Sequence, residues 1–316
     1  MRRHKVISIL LILVILFSIL FLIYGLNPTS YQYALSRRIP KLIAIILTGS
    51  GIAVSSVIFQ TVTNNRILTP SVLGLDSLYT LLQTFIVFVF GSLNVAAVGS
   101  NANFIMAGVL MIGFSLILFR MMFKQENQNL FFLLMLGMIF GTLFSSISSF
   151  MQMVMDPNEF LIVQNKMFAS FNNVKSSLLG ISTITIGATL IWVLKDLKQL
   201  DVLALGREQA INLGLDYDRI VRKLLIVVSI LVATSTALVG PITFLGILVT
   251  NLSYQLVKNY RHSLIIPTAI LISLAALIGG QFLVERVFSF NTTIGVIINF
   301  VGGVYFIYIL LKEERL

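Results

Sequence analysis

Hydrophobic residues occur along this chain in long runs that are separated by short polar stretches. The pattern marks ten candidate helices with approximate ends: 6–26, 41–62, 72–93, 103–123, 130–155, 178–195, 222–240, 243–257, 264–283 and 293–311. About 20 consecutive apolar residues span the hydrocarbon core of a bilayer as a helix, and unpaired backbone groups exclude open strands from lipid. The sequence therefore predicts an all-α polytopic membrane protein with about ten transmembrane helices and a single domain over residues 1–316.

The composition agrees with that class of protein. Hydrophobic residues make up 57% of the chain and the mean hydropathy is +0.98, values that soluble domains rarely approach. The first apolar run, from Val6 to Leu26, is too long for the hydrophobic region of a signal peptide and lacks an A-x-A-like cleavage site. We expect this run to be retained as the first membrane helix.

Basic residues are distributed unevenly between the two sets of loops. An even number of spans places both termini on one side of the membrane. With residues 1–5 inside, the inner loops hold sixteen of the 22 Lys and Arg residues and the outer loops hold six. Because cytoplasmic loops have this excess, both termini are expected in the cytoplasm, and the net charge of +10 needs no nucleic-acid partner.

The outer side has two features of its own. Arg37, Arg38 and Lys41 form a basic cluster against the general preference. Two interpretations are open: these side chains snorkel to the interface at a helix start, or they dock an acidic partner outside. Further along, Pro157 is expected to end the fifth helix, and residues 168–180 are predicted to form a short surface helix before the sixth span.

The most charged part of the chain is the segment 195–223, which the orientation places in the cytoplasm. Eleven of its 29 residues are charged, six basic and five acidic, whereas charged residues make up 11% of the whole chain. No other loop is both long and charged while also showing signals for helix ends. The segment is therefore a candidate docking surface, although a merely solvated loop is the alternative.

Local signals predict a short helix inside this segment. Gly206 suits the N-cap, Glu208 lies in the first turn, where an acid is favoured, and Gly214 suits the left-handed position after the last turn. Asp216 is expected to cap a second helix that continues into the seventh span. The short helix would expose Arg207 and Glu208 and bury some of its apolar side chains, which are Ala210, Ile211 and Leu213.

Motifs for catalysis or metal binding are missing from the sequence. There is no cysteine, which excludes disulfides and thiolate ligands, and His4 and His262 have no local partners for a metal cluster. No G-x-x-x-x-G-K-[ST] phosphate loop is present, so we expect no catalytic residue, no metal and no bound cofactor.

One acidic residue, Asp76, falls inside a candidate span. An acid within the membrane suggests a proton or cation relay. Its position near the start of the helix, after Pro70, favours instead capping or pairing with a nearby base.

Four blocks of sequence resemble the FecCD-type permeases, the membrane subunits of ATP-binding-cassette (ABC) importers for iron–siderophore complexes, haem and vitamin B12. Residues 38–41 resemble the family's R-[LI]-P-R, and residues 65–74 resemble R-N-P-L-A-[DE]-P-x-[LI]-L-G. Residues 204–214 resemble A-x-[LI]-G-x-x-x-A-x-x-L-G, and residues 240–251 resemble G-P-I-G-F-[VI]-G-L-[VI]-[VI]-P-H. The last two blocks in this order and spacing are specific together.

The resemblance implies an assembly and a fold. The family has ten helices per subunit in the type II ABC importer permease fold, with an inverted repeat, and two permease subunits, identical or not, around one central path. Two cytosolic subunits bind and hydrolyse the ATP, and an extracytoplasmic binding protein delivers the cargo. The chain is thus expected to be a multi-pass protein of the plasma membrane.

The resemblance also implies roles for particular residues. The third block would dock the ATPase through these residues: Ala204, Leu205, Gly206, Arg207, Glu208, Ala210, Leu213 and Gly214. The binding protein would dock on Arg38 and Lys41, which match by motif, and on Arg286, which matches after a small gap. The expected pathway lining consists of small and polar residues of the second and fifth helices: Ser55, Ser56, Gln60, Gly141, Ser145, Ser148, Ser149 and Gln152.

Departures from the family pattern indicate a divergent branch. The family's Pro-His pair is Thr250-Asn251 here, and its E-L-P-[VI]-G is replaced by residues 291–295. These changes are similar to those of permeases that pair with a non-identical permease for ferric catecholate-type siderophores. A ferric siderophore is therefore the expected cargo, haem or cobalamin is the alternative in the same fold, and a proton-coupled carrier based on Asp76 is the alternative in another class.

Overall fold

Thirteen α-helices and one 3₁₀ helix, with no strand, form the secondary structure of the residues that the structure describes. The computed structural model describes residues 2–25, 31–94, 99–123, 130–172 and 174–313. The helices are α1 (Arg2–Ile23), α2 (Tyr31–Thr63), α3 (Leu75–Asn94), α4 (Ser100–Phe123), α5 (Leu130–Val154), α6 (Pro157–Met167), α7 (Ser176–Leu194), α8 (Leu197–Leu203), α9 (Arg207–Asn212), α10 (Tyr217–Val239), α11 (Leu245–Val257), α12 (His262–Arg286) and α13 (Ile294–Glu313), and the 3₁₀ helix is Pro70–Leu73.

The predicted membrane helices correspond one to one with helices of the structure. They are α1 to α5, α7 and α10 to α13. Within the described ranges, seven of these ten are long and apolar enough to cross a membrane, while α3, α11 and α13 contain shorter apolar stretches of 10–17 residues. The predicted all-α polytopic fold is confirmed; the end of the first span, predicted at residue 26, lies outside the described residues.

The second membrane helix is longer than predicted and forms the centre of the bundle. It begins at Tyr31 rather than at residue 41 and contains Pro40, which membrane helices tolerate because neighbouring groups satisfy the freed carbonyl. All residues from Thr48 to Val62 are buried, and α7, α10, α11 and α12 pack around them. A Cβ atom on Gly51 would lie 2.6 Å from Ser235 Oγ, so small residues permit this close packing, as is common in membranes.

The surface helix that was predicted before the sixth span lies earlier in the sequence than expected. Asp156 Oδ1 accepts a hydrogen bond from the Asn158 N–H at 2.9 Å, and Pro157 occupies the first turn of α6, where a missing N–H has no cost. The helix therefore spans Pro157–Met167, and α7 begins only at Ser176. The prediction of a helix over residues 168–180 was wrong because Asp156-Pro157 was interpreted only as an end of one helix and not as the start of the next.

Candidate coupling surface, outer basic cluster and pathway residues

Two short helices, α8 and α9, form the surface between α7 and α10. Gly206 is the N-cap of α9 with φ 97°, and Gly214 follows the helix with φ 82°. The Gly214 N–H donates to Ile211 O and the Leu215 N–H donates to Ala210 O, which is the Schellman arrangement at a helix end. Asp216 then caps α10 by accepting from the Arg219 N–H at 3.3 Å. The predicted ends of the short helix are confirmed.

The apolar side chains of this surface are divided between the core and the exterior. Ala210 is fully buried, whereas Leu205, Ile211 and Leu213 are 56%, 48% and 64% exposed. These three exposed residues are called the apolar surface cluster below. Arg207 and Glu208 are exposed, as predicted. Three exposed large apolar side chains within nine residues make this surface a candidate protein interaction site.

The helix α8 was not predicted from the sequence. Its Leu200 and Leu203 are buried, and α8 packs on α2 and α12. The sequence does contain a helical pattern there, because leucines occur at positions 197, 200 and 203. The charged residues between these leucines made the segment resemble a loop.

A hydrogen-bond chain fixes α8 to the bundle. Asp201 Oδ1 accepts from the His262 backbone N–H at 2.7 Å and lies 2.7 Å from His262 Nδ1. On the other side of the ring, His262 Nε2 lies 2.8 Å from Thr61 Oγ1. His262 is 1% exposed, so one buried imidazole connects α8, α12 and the end of α2.

An ion pair holds the start of α8. Asp196, at the N-cap of α8, lies 2.6 Å from Lys223 Nζ of α10, and the same ammonium group lies 5.0 Å from the centre of the Trp192 ring. The charges that first distinguished this segment therefore serve in part as anchors, and the apolar surface cluster is held on a rigid base.

The basic residues of the outer cluster mostly contact the chain itself. Arg38 Nη1 donates to the carbonyl oxygens at the end of α1, including that of Leu22 at 2.7 Å and that of Tyr24 at 3.0 Å. Lys41 forms an ion pair with Glu285 at 2.8 Å, and the two side chains are only 15% and 10% exposed. Arg286 is exposed, although its Nη2 donates to Tyr24 O at 2.7 Å.

The predicted pathway residues of α2 lie inside the bundle. Ser55 and Ser56 are buried; Ser55 Oγ donates to Ile52 O at 3.0 Å, and Ser56 packs closely against Gly246 of α11. Gln60 is also buried, and its side-chain amide has no partner among the described residues; it lines a cavity of about 160 Å³ that His262 also lines. In this conformation these three residues face neighbouring helices of their own subunit.

The predicted pathway residues of α5 are split between two faces. Gly141 is buried against Gly74, where a Cβ would lie 3.3 Å from the Gly74 Cα. Ser148 and Gln152 bind one another and α3, and the Gln152 Nε2 donates to Ser148 Oγ at 2.9 Å. Ser145 and Ser149 are exposed, so these two positions, of all the residues proposed to line a pathway, have an open face in this conformation.

Asp76 lies in the first turn of α3, as the sequence suggested. Its Oδ2 atom is buried and has no hydrogen-bond partner among the described residues. A carboxylate in the first turn is favoured by the helix dipole, which agrees with the expected position at the helix start.

The full length of the chain matches known transport proteins. Residues 5–312 match the FecCD transport family. The chain is 58% identical to the petrobactin import system permease protein YclO of Bacillus subtilis (strain 168), over 100% of this chain and 99% of that protein. It is 36% identical to the petrobactin import system permease protein FatC of Bacillus anthracis, over 100% of this chain and 90% of that protein. It is 23% identical to FatD of the same organism, a second petrobactin permease protein, over 88% of this chain and 81% of that protein.

A solved structure has the same fold. A chain from an ABC transporter described as of metal-chelate type, in an inward-facing conformation, superimposes with a TM-score of 0.84 and 20% sequence identity, covering 98% of this chain and 99% of the other. The family match covers nearly all residues of the chain, and the helix order and the ends of the short helix between Gly206 and Gly214 agree with it. This multi-pass membrane protein belongs to the FecCD transport family.

Proposed function

We propose that this chain is a permease subunit of an ABC importer that moves a ferric siderophore complex across the plasma membrane into the cytoplasm. The 58% identity with YclO, a petrobactin import permease, over the full length of both chains supports petrobactin as the cargo. The chain itself would hydrolyse no ATP, because separate cytosolic subunits would do so. Both termini and the α8–α9 surface would face the cytoplasm, in agreement with the excess of basic residues in those loops.

The observation that supports ATP-driven transport most directly is the apolar surface cluster. Leu205, Ile211 and Leu213 are exposed on a rigid, capped helix pair, where water contact with apolar surface is unfavourable. A partner that covers the cluster would remove that cost. Movement of this partner during ATP hydrolysis would then be transmitted through α8 and the Asp201–His262 contact to α12 and α2, as in a rigid-body switch.

A charge placed in the apolar surface cluster tests this coupling. Leu213→Asp should abolish co-purification of the ATPase subunit and ferric petrobactin uptake, because a buried unpaired carboxylate is strongly unfavourable. Tyr260→Asp is the matched control: Tyr260 is 75% exposed in the loop before α12, on the same side of the membrane, and this variant should keep both activities. If Leu213→Asp assembles and transports like the wild type, the coupling proposal fails.

A heterodimer is the proposed permease assembly. Bacillus anthracis has two petrobactin permease proteins, and this chain is more similar to FatC than to FatD, with 36% against 23% identity. The second subunit would therefore be a FatD-like chain. The exposed Ser145 and Ser149 of α5 would then line the path between the two subunits.

On the outer side, a substrate-binding protein is the proposed partner. Arg286 is the candidate contact with an exposed side chain, while Arg38 and Lys41 would shape the same surface through their contacts with α1 and Glu285. Arg286→Glu should weaken capture of the binding protein, and Lys175→Glu, at an exposed position of the same side, should not. Equal capture by all three proteins would contradict this site.

Haem and cobalamin remain alternative cargoes, and a proton-coupled carrier remains the alternative mechanism. Uptake of radiolabelled ferric petrobactin that excess haem and cobalamin leave unchanged would support the siderophore. A purified chain that moves cargo alone under a pH gradient would overturn the ABC mechanism.

A further inference from the structure

A groove with a charged rim and apolar walls lies between the end of α4 and the start of α10. It encloses a cavity of about 480 Å³, within the range of about 300–1,000 Å³ that small-molecule sites occupy. Its lining consists of two arginines and four apolar residues: Leu116, Phe119, Arg120, Phe123, Arg222 and Ile226. The groove opens on the same side of the membrane as α8 and α9, because α10 starts directly after them.

The polar and apolar parts of the groove are separated along the membrane normal. Leu116 lies four residues before Arg120 on α4, and Ile226 lies four residues after Arg222 on α10. Residues four apart lie on one face of a helix, one turn from each other. The two guanidinium groups are therefore at the rim, and each has an apolar residue one turn deeper in the bilayer.

The rim is positively charged and open. Arg120 is in the last turn of α4, and Arg222 lies with its Cζ atom 4.6 Å from the centre of the Phe123 ring. Both arginines are exposed, and neither forms an ion pair with a residue that the structure describes. Arginine binds phosphate oxygens through its planar fork of N–H donors.

We propose that this groove binds an anionic phospholipid from the adjacent leaflet. The headgroup phosphate would lie between Arg120 and Arg222, and one acyl chain would lie against Leu116, Phe119 and Ile226. Charge complementarity at the rim and apolar walls below it together fit a lipid better than a free anion, which would leave the walls uncovered. Bound lipid would brace α4 against α10, the helix that leads directly from the α8–α9 surface into the membrane.

The test compares lipid retention by the purified transporter in nanodiscs of equal phosphatidylglycerol and phosphatidylcholine, measured by native mass spectrometry. Wild type should retain phosphatidylglycerol in preference to phosphatidylcholine. The double variant Arg120→Gln, Arg222→Gln should lose this preference by roughly 25-fold, since each basic residue at an anionic membrane surface contributes about 1 kcal/mol, or about fivefold. Lys258→Gln with Arg261→Gln removes the same charge from the exposed loop between α11 and α12 and should keep the preference.

Two further measurements separate the lipid from other occupants. Leu116→Trp fills the groove without changing charge and should also reduce retention. Inorganic phosphate at millimolar concentration should not raise the thermal stability as phosphatidylglycerol does; equal stabilisation would identify a free anion site and overturn the proposal. Equal lipid retention by wild type and the Arg120, Arg222 variant, or loss of the ATPase subunit from this variant in lipid-free detergent, would overturn it as well.

Discussion

The α8–α9 surface and the outer basic cluster both stood out by their charge, and they use that charge differently. In the α8–α9 region, Asp196 and Asp201 bind the bundle inward, through Lys223 and His262, and the exposed remainder combines charged side chains with the apolar surface cluster. In the outer cluster, Arg38 and Lys41 are turned inward to the end of α1 and to Glu285. Charged side chains therefore form anchoring contacts in both regions, and in the first region these contacts support the apolar surface cluster.

The physical reason is the cost of leaving a charge without a partner near lipid. A basic or acidic side chain at the membrane boundary gains more from an internal carbonyl or counter-ion than from partial contact with water. Docking surfaces of membrane proteins are then identified by what stays exposed after these contacts form. Four sets of substitutions test this comparison.

The largest effect is expected from Lys41→Met. This substitution leaves the Glu285 carboxylate, 10% exposed, without its cation, and breaking such a pair from one side costs about 3–5 kcal/mol. Because Gln281 still donates to Glu285 at 3.0 Å, we expect about 3 kcal/mol, seen as a lower unfolding temperature in detergent.

The control for this prediction is the pair Lys41→Met with Glu285→Gln, which removes both charges and should regain most of the lost stability. A Lys41→Met protein as stable as the wild type would show that Lys41 is a surface residue, free to dock a partner.

The next effect concerns Asp201→Ala in the α8–α9 region. The backbone N–H of His262 and its ring lose their acceptor at a buried position, which costs about 1–3 kcal/mol. Hydrogen exchange of the α8 amides should become faster while α12 remains protected. Asp218→Ala, in a pair with Arg207 at 4.0 Å and 40% exposed, should change exchange little; equal acceleration by both variants would contradict an anchoring role for Asp201.

An effect of similar or smaller size on stability is expected from the two glycines that bound α9. Gly206, at φ 97° and ψ 167°, is in a region almost restricted to glycine, and Gly206→Ala should cost about 1–3 kcal/mol. Gly214→Ala, at φ 82°, should cost about 1–2 kcal/mol because a Cβ disfavours the left-handed region. Gly187→Ala, inside α7 with open space for a Cβ, should be neutral or stabilising; thermal unfolding that ranks the three differently would contradict the strain argument.

The smallest effect on stability is expected from a substitution of Lys166 on helix α6. Burial lowers the pKa of its ammonium group, so the unfolded chain binds this proton more tightly than the folded chain. Stability is reduced below the lowered pKa and should rise as the pH increases from that value towards 10.5. Lys166→Met should be slightly more stable at neutral pH and should lose this rise, whereas exposed Lys175→Met should behave like the wild type.

Local signals were sufficient wherever one residue and its near neighbours decide the structure. The helix between Gly206 and Gly214 and the cap at Asp216 were predicted correctly because backbone conformation and capping depend on a few adjacent residues. The surface helix after Asp156 was misplaced, because the same Asp-Pro pair signals a break and a start. The helix α8 was missed because its stability comes from contacts of Leu200 and Leu203 with α2 and α12.

The sequence by itself determined the class of the protein, the positions of ten membrane helices and the family, since hydrophobic run lengths and local motifs are encoded residue by residue. Only the tertiary structure decided which of the marked side chains remain available to partners. In the folded chain, Lys41 and Arg38 point inward. Ser55, Ser56 and Gln60 are buried where other helices pack on α2, whereas Leu205, Ile211 and Leu213 stay exposed. The reason is that availability depends on packing partners that are distant in sequence, such as Glu285 for Lys41 and His262 for Asp201.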